Sequence, residues 1–245
     1  MTENNKTFCV VELFTQTATF RNPDFQNFHK SFILPPPTTL IGVAGAALGF
    51  GPKTSQDFFS SDNWLFGVFG KSQGKSNDLW KFRKKKGSTF TEDLLIKEFL
   101  YDNTFYLVYG NDDQNKIHQL VESFKNPKFA LTLGNSDSLA KVIKVDLVKK
   151  VTSCSQITNC MVEGDIIDNV IQNAQNGLNF SIYTTSDPVA YDLPTSFDYA
   201  KEYGERKISA RKTFSFVGEE MTLNFDLKGI MYNNNFIPLF DLKNA

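Results

Sequence analysis

The sequence predicts an α+β fold in two parts: a mixed domain over residues 1–140 with an insertion at 70–103, then a smaller β-rich domain over 141–245. Three observations predict it. Residues 7–133 read in the order strand, helix, strand, strand, helix, strand. From Lys141 onward apolar and polar residues alternate, with Gly, Asp and Asn between the runs. A lysine-rich stretch with aromatic residues in it separates the second strand from the third.

Taken in order, Thr7–Phe14 (TFCVVELF) is β-branched and aromatic, a first strand. Thr15–Leu34 is an irregular crossing that holds Arg21-Asn22-Pro23 and His29-Lys30. Pro35-Pro36-Pro37 cannot be helix interior, because each proline fixes φ and lacks an N–H. Thr38 or Thr39 is expected to cap the helix that follows, in which Leu40, Ile41, Ala44, Ala47 and Leu48 recur at helical spacing. Gly42, Gly45 and Gly49 share one stripe of it, a pattern tolerated where another backbone comes close. Gly49-Phe50-Gly51-Pro52 is the stop.

Trp64–Phe69 (WLFGVF) and Thr104–Tyr109 (TFYLVY) read as the second and third strands. Asn111 is expected to cap a second helix, with Asp112 and Asp113 in its first turn and Ile117, Leu120, Val121 and Phe124 as its apolar stripe. Pro127 ends it, and Lys128–Leu133 (KFALTL) reads as the fourth strand, closing on Gly134. This order is the split βαβ, ferredoxin-like arrangement, a frame shared with RNA-recognition (RRM-like) modules. In the second part Ile143, Val145 and Leu147 alternate with Lys144 and Asp146. Further strands read at Asn179–Tyr183, Thr213–Val217 and Met221–Leu227.

Composition narrows the function classes. With 245 residues and 41% apolar content the chain can bury a real core. A net charge of -1 excludes a wholly basic nucleic-acid coat, so contact with a polyanion must be local. Cys9, Cys154 and Cys160 form no CxxC pair and have no histidine nearby, which argues against zinc and fits a reducing compartment. Met1–Lys6 is polar and leads straight into a strand, and no apolar run approaches a membrane span. The expectation is a cytoplasmic protein with no membrane association, no cofactor and no metal.

Two stretches invite phosphate. The helix after the prolines has no Asp or Glu in its first turn, so the positive end of its dipole is open. Tight helix-on-sheet packing after a rigid turn explains the same residues and is the plainer reading of them. The insertion carries Lys71, Lys75, Lys81, Arg83, Lys84, Lys85 and Lys86 against Asp78 alone up to Lys86, with Trp80 and Phe82 between the cations. Cations alternating with aromatics on a projecting arm suit single-stranded RNA, although a solvated loop has the same look.

Together these stretches resemble the CRISPR-associated Cas-five family of the RAMP superfamily. The resemblance lies in Ala18-Thr19-Phe20-Arg21-Asn22-Pro23, the Pro35–Gly49 segment and Lys128–Ser136 (KFALTLGNS). Weaker signposts are Glu163-Gly164-Asp165-Ile166 and Asp192-Leu193-Pro194 followed by Phe197. The match implies a ferredoxin-like domain with a projecting thumb, here 70–103. It also implies a subunit of a type I Cascade complex in antiviral defence; the subtype is open, I-B being one reading. Such a subunit binds the 5′ handle of the crRNA, contacts the backbone and large subunits, and meets target DNA only through the complex. Carried over by position, Arg21 matches the family's Phe-Arg, and Thr38, Thr39 and Gly42 its glycine-containing helix start. Lys81, Phe82, Arg83, Lys84, Lys85 and Lys86 match by location in the thumb. Lys30, in the same crossing as Arg21, joins them as a candidate RNA contact. Arg206, Lys207, Arg211 and Lys212 are a further basic cluster with no motif.

A catalytic role is the alternative. One branch of that family, in type I-C systems, cleaves precursor crRNA as a metal-independent endoribonuclease. Such cleavage needs a general base and a cation for the phosphorane charge. His29 and His118 are the only imidazoles, and His118 flanks the core position Ile117 as a surface residue would. Gly70-Lys71-Ser72-Gln73-Gly74 fits a nucleophile-elbow pattern but is followed by no helical periodicity, and the glycine a phosphate loop needs is Leu65. The expected reading is a non-catalytic binder.

Overall fold

The computed structural model describes residues 6–25, 28–170 and 188–243. In chain order these form β1 (Thr7–Ala18), β2 (Phe28–His29), α1 (Pro37–Leu48), α2 (Pro52–Ser60), β3 (Leu65–Lys86), β4 (Thr89–Asn111) and α3 (Gln114–Lys125). Then follow β5 (Lys141–Val148), β6 (Val151–Ile157), β7 (Cys160–Glu163), β8 (Val189–Tyr199), β9 (Arg206–Val217), β10 (Met221–Tyr232) and β11 (Asn235–Pro238). The strand expected at Asn179–Tyr183 lies outside the described residues.

β1 is central, with β4 on one side and β5 on the other, both antiparallel. That explains its near-continuous apolar run, since both faces are covered. Cys9, Val11 and Leu13 pack with the helices, while Phe8 and Val10 pack with Ile230, Tyr232 and Ile237 of the small β11-β10-β6 sheet behind. The main sheet runs β5-β1-β4-β3-β7-β9-β8, with β2 beside β4. It is a mixed fold dominated by antiparallel strands. The expected boundary at residue 140 falls inside this sheet, because β5 pairs with β1 and β7 joins β3 at Phe69 and Cys160.

Several elements differ from the sequence reading. Lys128–Leu133 is not a strand. The amides of Lys128 and Phe129 donate to the carbonyls of Ala47 and Ala46 at the end of α1 (3.0 and 3.2 Å), and Leu131 and Leu133 are buried anchors. The segment therefore satisfies the helix end that would otherwise leave carbonyls orphaned. The strand that pairs with β1 on the side away from β4 is β5, beyond the expected boundary. Gly134 sits at φ +110° with the Thr19 carbonyl where a Cβ would be, 1.8 Å away, so no other residue fits that close crossing.

The helix caps also move. Pro36 is the N-cap of α1 and Pro37 its first residue, a position where a missing N–H costs nothing. Thr38 and Thr39 stand inside the first turn rather than at the N-cap, and among the described residues no side-chain cap bond is made there. Asp113, not Asn111, caps α3, accepting from the Asn115 amide at 2.9 Å, while Asn111 accepts from the Asp113 amide in the turn before it. Ile117, Leu120, Val121 and Phe124 are buried as their spacing predicts.

The Gly/Pro stop is a turn between two helices, α2 having no counterpart in the sequence reading. Gly49 takes the left-handed αL conformation that ends α1. At Gly45 a Cβ would lie 2.0 Å from Ser55 Oγ, so the absent side chain is what lets α1 and α2 close. From β4, Tyr109 donates its hydroxyl to the Leu40 carbonyl of α1 at 2.9 Å in full burial, and that burial raises its pKa well above the usual tyrosine value.

The insertion at 70–103 is not a loop. β3 and β4 continue unbroken through it as one antiparallel hairpin, in register from Leu65↔Gly110 to Lys86↔Thr89, closed by a turn with Gly87 at φ +62°. Gly70–Gly74 lies within β3, so there is no strand-to-helix elbow and no phosphate loop. No helix among the described residues is long and apolar enough to cross a membrane.

Candidate nucleic-acid interface

Directly opposed residues of an antiparallel pair share a face, so the register sorts the hairpin side chains. Lys81, Arg83 and Lys85 stand opposite Leu94, Glu92 and Phe90. Phe82 and Lys84 stand on the other face, opposite Asp93 and Thr91, together with Trp80 opposite Leu95. The cation–aromatic alternation in sequence thus becomes two different surfaces. The side chain of Lys86 lies outside the described residues.

The Lys81 face is partly neutralised and partly apolar. Glu92 lies 2.5 Å from Lys81 Nζ and 3.7 Å from Arg83 Nε, contacts worth little at such exposure. Leu79, Phe90 and Leu94 are each about 60% or more exposed on the same arm. On the Trp80 face, Trp80 and Phe82 are exposed and Trp80 Nε1 donates to Asp78 at 2.8 Å.

Beneath Trp80 is a residue that sequence reasoning missed. Lys97 is 6% exposed, and its ammonium sits 4.0 Å from the centre of the Trp80 ring. Burial lowers its pKa, against the opposing pull of Asp137 and Asp78. No carboxylate lies within ion-pair distance of it among the described residues. It lines a cavity of about 260 Å³ at the hairpin base, shared with Thr17, Thr19, Asn77 and Asn135.

The crossing segment lies against the same base. β2 pairs with β4 at Ile96 and Lys97, and Arg21 bridges to Ser31. Arg21 is exposed; Lys30 is half-buried with its ammonium 5.1 Å from the Phe25 ring centre. His29 between them is kept below its ordinary pKa by burial first, then by Arg21 and Lys97. Arg21, Lys30 and the buried Lys97 therefore gather positive charge at the base of the hairpin.

Thr38 and Gly42 belong to a second place. They line a cavity of about 200 Å³ with Ile41, one turn of α1 facing Ser55 and Gln56 of α2. Thr195, Phe197 and Tyr199, alternate residues of β8, form the opposite wall, and Arg206 closes it from β9. The two cavities share no lining residue. Thr39 lines neither.

The C-terminal basic cluster is divided as well. Lys212 is held by Glu163 (2.8 Å) and Asp241 (2.7 Å), and Arg211 lies 3.6 Å from Asp192. Arg206 instead stacks over Phe197, 4.3 Å from the ring centre. His118 is exposed on α3, next to a Lys116 ion-paired with Asp62. Cys9 and Cys160 are buried free thiols, and burial pushes Cys9 up to about 12. Among the described residues no three His, Cys, Asp or Glu side chains are placed to hold a metal ion.

The profile of the family described as CRISPR-associated protein (Cas_Cas5) matches residues 8–209, most of the chain. The chain belongs to that family. Among curated proteins none matches it. A solved chain titled "CRISPR RNA-guided surveillance complex" is similar at 12% identity, with TM-score 0.52 over 88% of this chain and 91% of that one. Another, titled "Crystal structure of a CRISPR protein from Archaeoglobus fulgidus", is 13% identical, with TM-score 0.49 over 95% and 99%. At such identity the first likeness concerns the fold alone.

Proposed function

We propose that this protein is a non-catalytic RNA-binding subunit of a CRISPR effector complex of the Cascade type, holding the 5′ handle of the crRNA. The observation that carries the reading is the β3–β4 hairpin. Its Trp80 face offers the exposed rings of Trp80 and Phe82 beside Lys84, with Lys97 buried beneath Trp80, a combination of rings and a cation that suits stacked bases and phosphates. Its Lys81 face mixes cations with exposed Leu79, Phe90 and Leu94, which suits a neighbouring protein subunit. The backbone and large subunits of the complex are the partners this face serves, and target DNA is met through the complex. The strand order β5-β1-β4-β3 with helices in the two crossovers is read as the ferredoxin-like frame, and the hairpin as its thumb.

The test is recovery of the chain with its complex. Co-purification of repeat-derived RNA, and tighter binding of the handle than of a scrambled RNA, is the expected result. Equal binding of both would reduce the protein to a general single-strand binder.

Endoribonuclease activity is the second reading, favoured by one observation. His29, kept toward its neutral form, lies close enough to Arg21 and Lys97 to feel both cations, which is a base beside charge-stabilising groups. Incubation with labelled repeat RNA without metal decides it: discrete cleavage lost in His29→Ala would replace the binder by an enzyme.

A further inference from the structure

We propose that the root of the β3–β4 hairpin is a hinge at Asp102, strained in the free protein and relaxed when the arm closes on a bound strand. Closure takes Asp102 out of the left-handed region into extended backbone. This rests on the RNA-binding reading above and adds to it a movement of the arm.

The hinge shows first in the pairing. β4 runs between β1 and β3 in constant register, from Thr7↔Asn111 to Ala18↔Leu100 on one side and from Leu65↔Gly110 to Lys86↔Thr89 on the other. Both ladders skip the same residue. Asn103 and Tyr101 pair with Thr15 and Thr17 of β1 and with Ser72 and Gly74 of β3, yet Asp102 pairs with neither Gln16 nor Gln73. No residue is gained or lost on any strand, so the break is not a bulge. Its cause is the backbone of Asp102, at φ +49° within a strand of 23 residues. Asp enters that region more readily than most side chains, but glycine alone does so without cost.

Side chains patch the break. Asn103 Nδ2 donates to the carbonyls of Thr15 and Leu100, both at 3.2 Å, and the Thr15 hydroxyl donates to the Thr17 carbonyl at 2.6 Å. The patch is incomplete. Asn103 is fully buried, and its Oδ1 has no hydrogen-bond partner among the described residues. Buried amide oxygens are ordinarily satisfied. A left-handed residue and an orphaned acceptor therefore occupy consecutive positions, two costs that persist only because the surrounding sheet holds them.

The place suits a pivot. Pairing with β1 ends at Ala18↔Leu100, two residues beyond Asp102, and farther out β3 and β4 run on as a pair touched only by β2 at Ile96 and Lys97. On the body side Phe105, Leu107 and Tyr109 are fully buried, which anchors β4 below the break. Opposite Tyr101 stands Gly74, where a Cβ would lie 2.6 Å from the Tyr101 hydroxyl, so β3 carries no side chain at that level. A turn about Asp102 moves Trp80, Phe82 and Lys84 together relative to the body of the sheet.

The test uses Asp102 itself. Glycine takes positive φ as readily as negative, so Asp102→Gly removes the cost from the free protein, whereas β-branched valine disfavours positive φ and so favours the closed form. Affinities of the full-length wild type and both variants for repeat-derived single-stranded RNA are measured by fluorescence anisotropy, with melting temperatures alongside. Binding about fivefold weaker in Asp102→Gly and about fivefold tighter in Asp102→Val is expected, although the valine lowers the melting temperature. Equal affinities with altered melting temperatures would make Asp102 merely structural, overturning the hinge and leaving the RNA-binding reading standing. Should the valine variant not fold, the glycine variant decides alone. The movement itself is read by double electron–electron resonance between spin labels at Ser88→Cys, on the hairpin turn, and His118→Cys, on α3, in a Cys154→Ser background. RNA is expected to shift that distance; an unchanged distance with RNA bound would overturn the hinge. A wild-type protein that binds no RNA would overturn both readings.

Discussion

The β3–β4 hairpin and the cavity at the start of α1 present polar and charged groups in opposite ways. The hairpin is long, exposed and carries cations on both faces. The cavity is small, walled by two helices and a strand, and has one arginine at its edge. A polyanion near the first surface would be attracted at long range and screened by salt, whereas a group in the second would be held only at contact. The contrast teaches that charge is legible as a run in the sequence, while a concave site is assembled from residues far apart in the chain.

The largest expected effect breaks the hairpin side of this contrast. Reversing Arg83, Lys84, Lys85 and Lys86 to glutamate should lower affinity for single-stranded RNA by about a hundredfold near 0.1 M salt and flatten the salt dependence by about 0.7 per lost phosphate contact. Filter binding across a salt series measures it. Because these residues lie on an exposed hairpin, thermal unfolding should hardly change. An unchanged salt slope would remove the hairpin from the interface.

The next prediction separates the two places through the scaffold. Gly45→Ala puts a methyl group against Ser55, pushing α2 away from α1 at a cost of about 1–3 kcal/mol. Both helices form the cavity wall, so the cavity should change shape, while the salt-dependent binding by the hairpin persists. Calorimetry and filter binding read the two effects separately. A smaller effect is expected from Gln56→Ala, which removes two hydrogen bonds to the Phe197 backbone and about 1–2 kcal/mol of stability.

These differences also explain what could be read in the sequence. The hairpin cations were legible as a local run, and α3 was legible because its buried residues recur at helical spacing. What the run hid was the pleat: adjacent residues point to opposite faces, so Lys81 and Phe82 do not act together. The alternation in Lys128–Leu133 came from two buried anchors, Leu131 and Leu133, in a segment that closes off α1, a pattern no different in sequence from a strand. α2 buries only Ser55 and Phe59, too little apolar periodicity to announce a helix. Lys97 and the Phe197–Arg206 stack carry no local signal at all, because each gains its meaning from partners brought up by pairing or packing.

The smallest effect sharpens the contrast at the hairpin base, where charge is buried rather than displayed. His29 titrates below its unfolded value of 6.5 because burial, Arg21 and Lys97 all disfavour its charged form. The unfolded chain then binds the proton first as pH falls, so stability is full above pH 6.5 and declines as pH drops through the folded value. His29→Gln should remove this part of the acid sensitivity without changing stability at pH 8, as read by urea unfolding at a series of pH values. Lys97→Met should move the His29 titration, followed by NMR, upward toward its ordinary position, since one of the two cations is gone. A titration that stays in place would mean that Lys97 does not reach His29, and that the positive surface ends at the hairpin rather than continuing into the crossing.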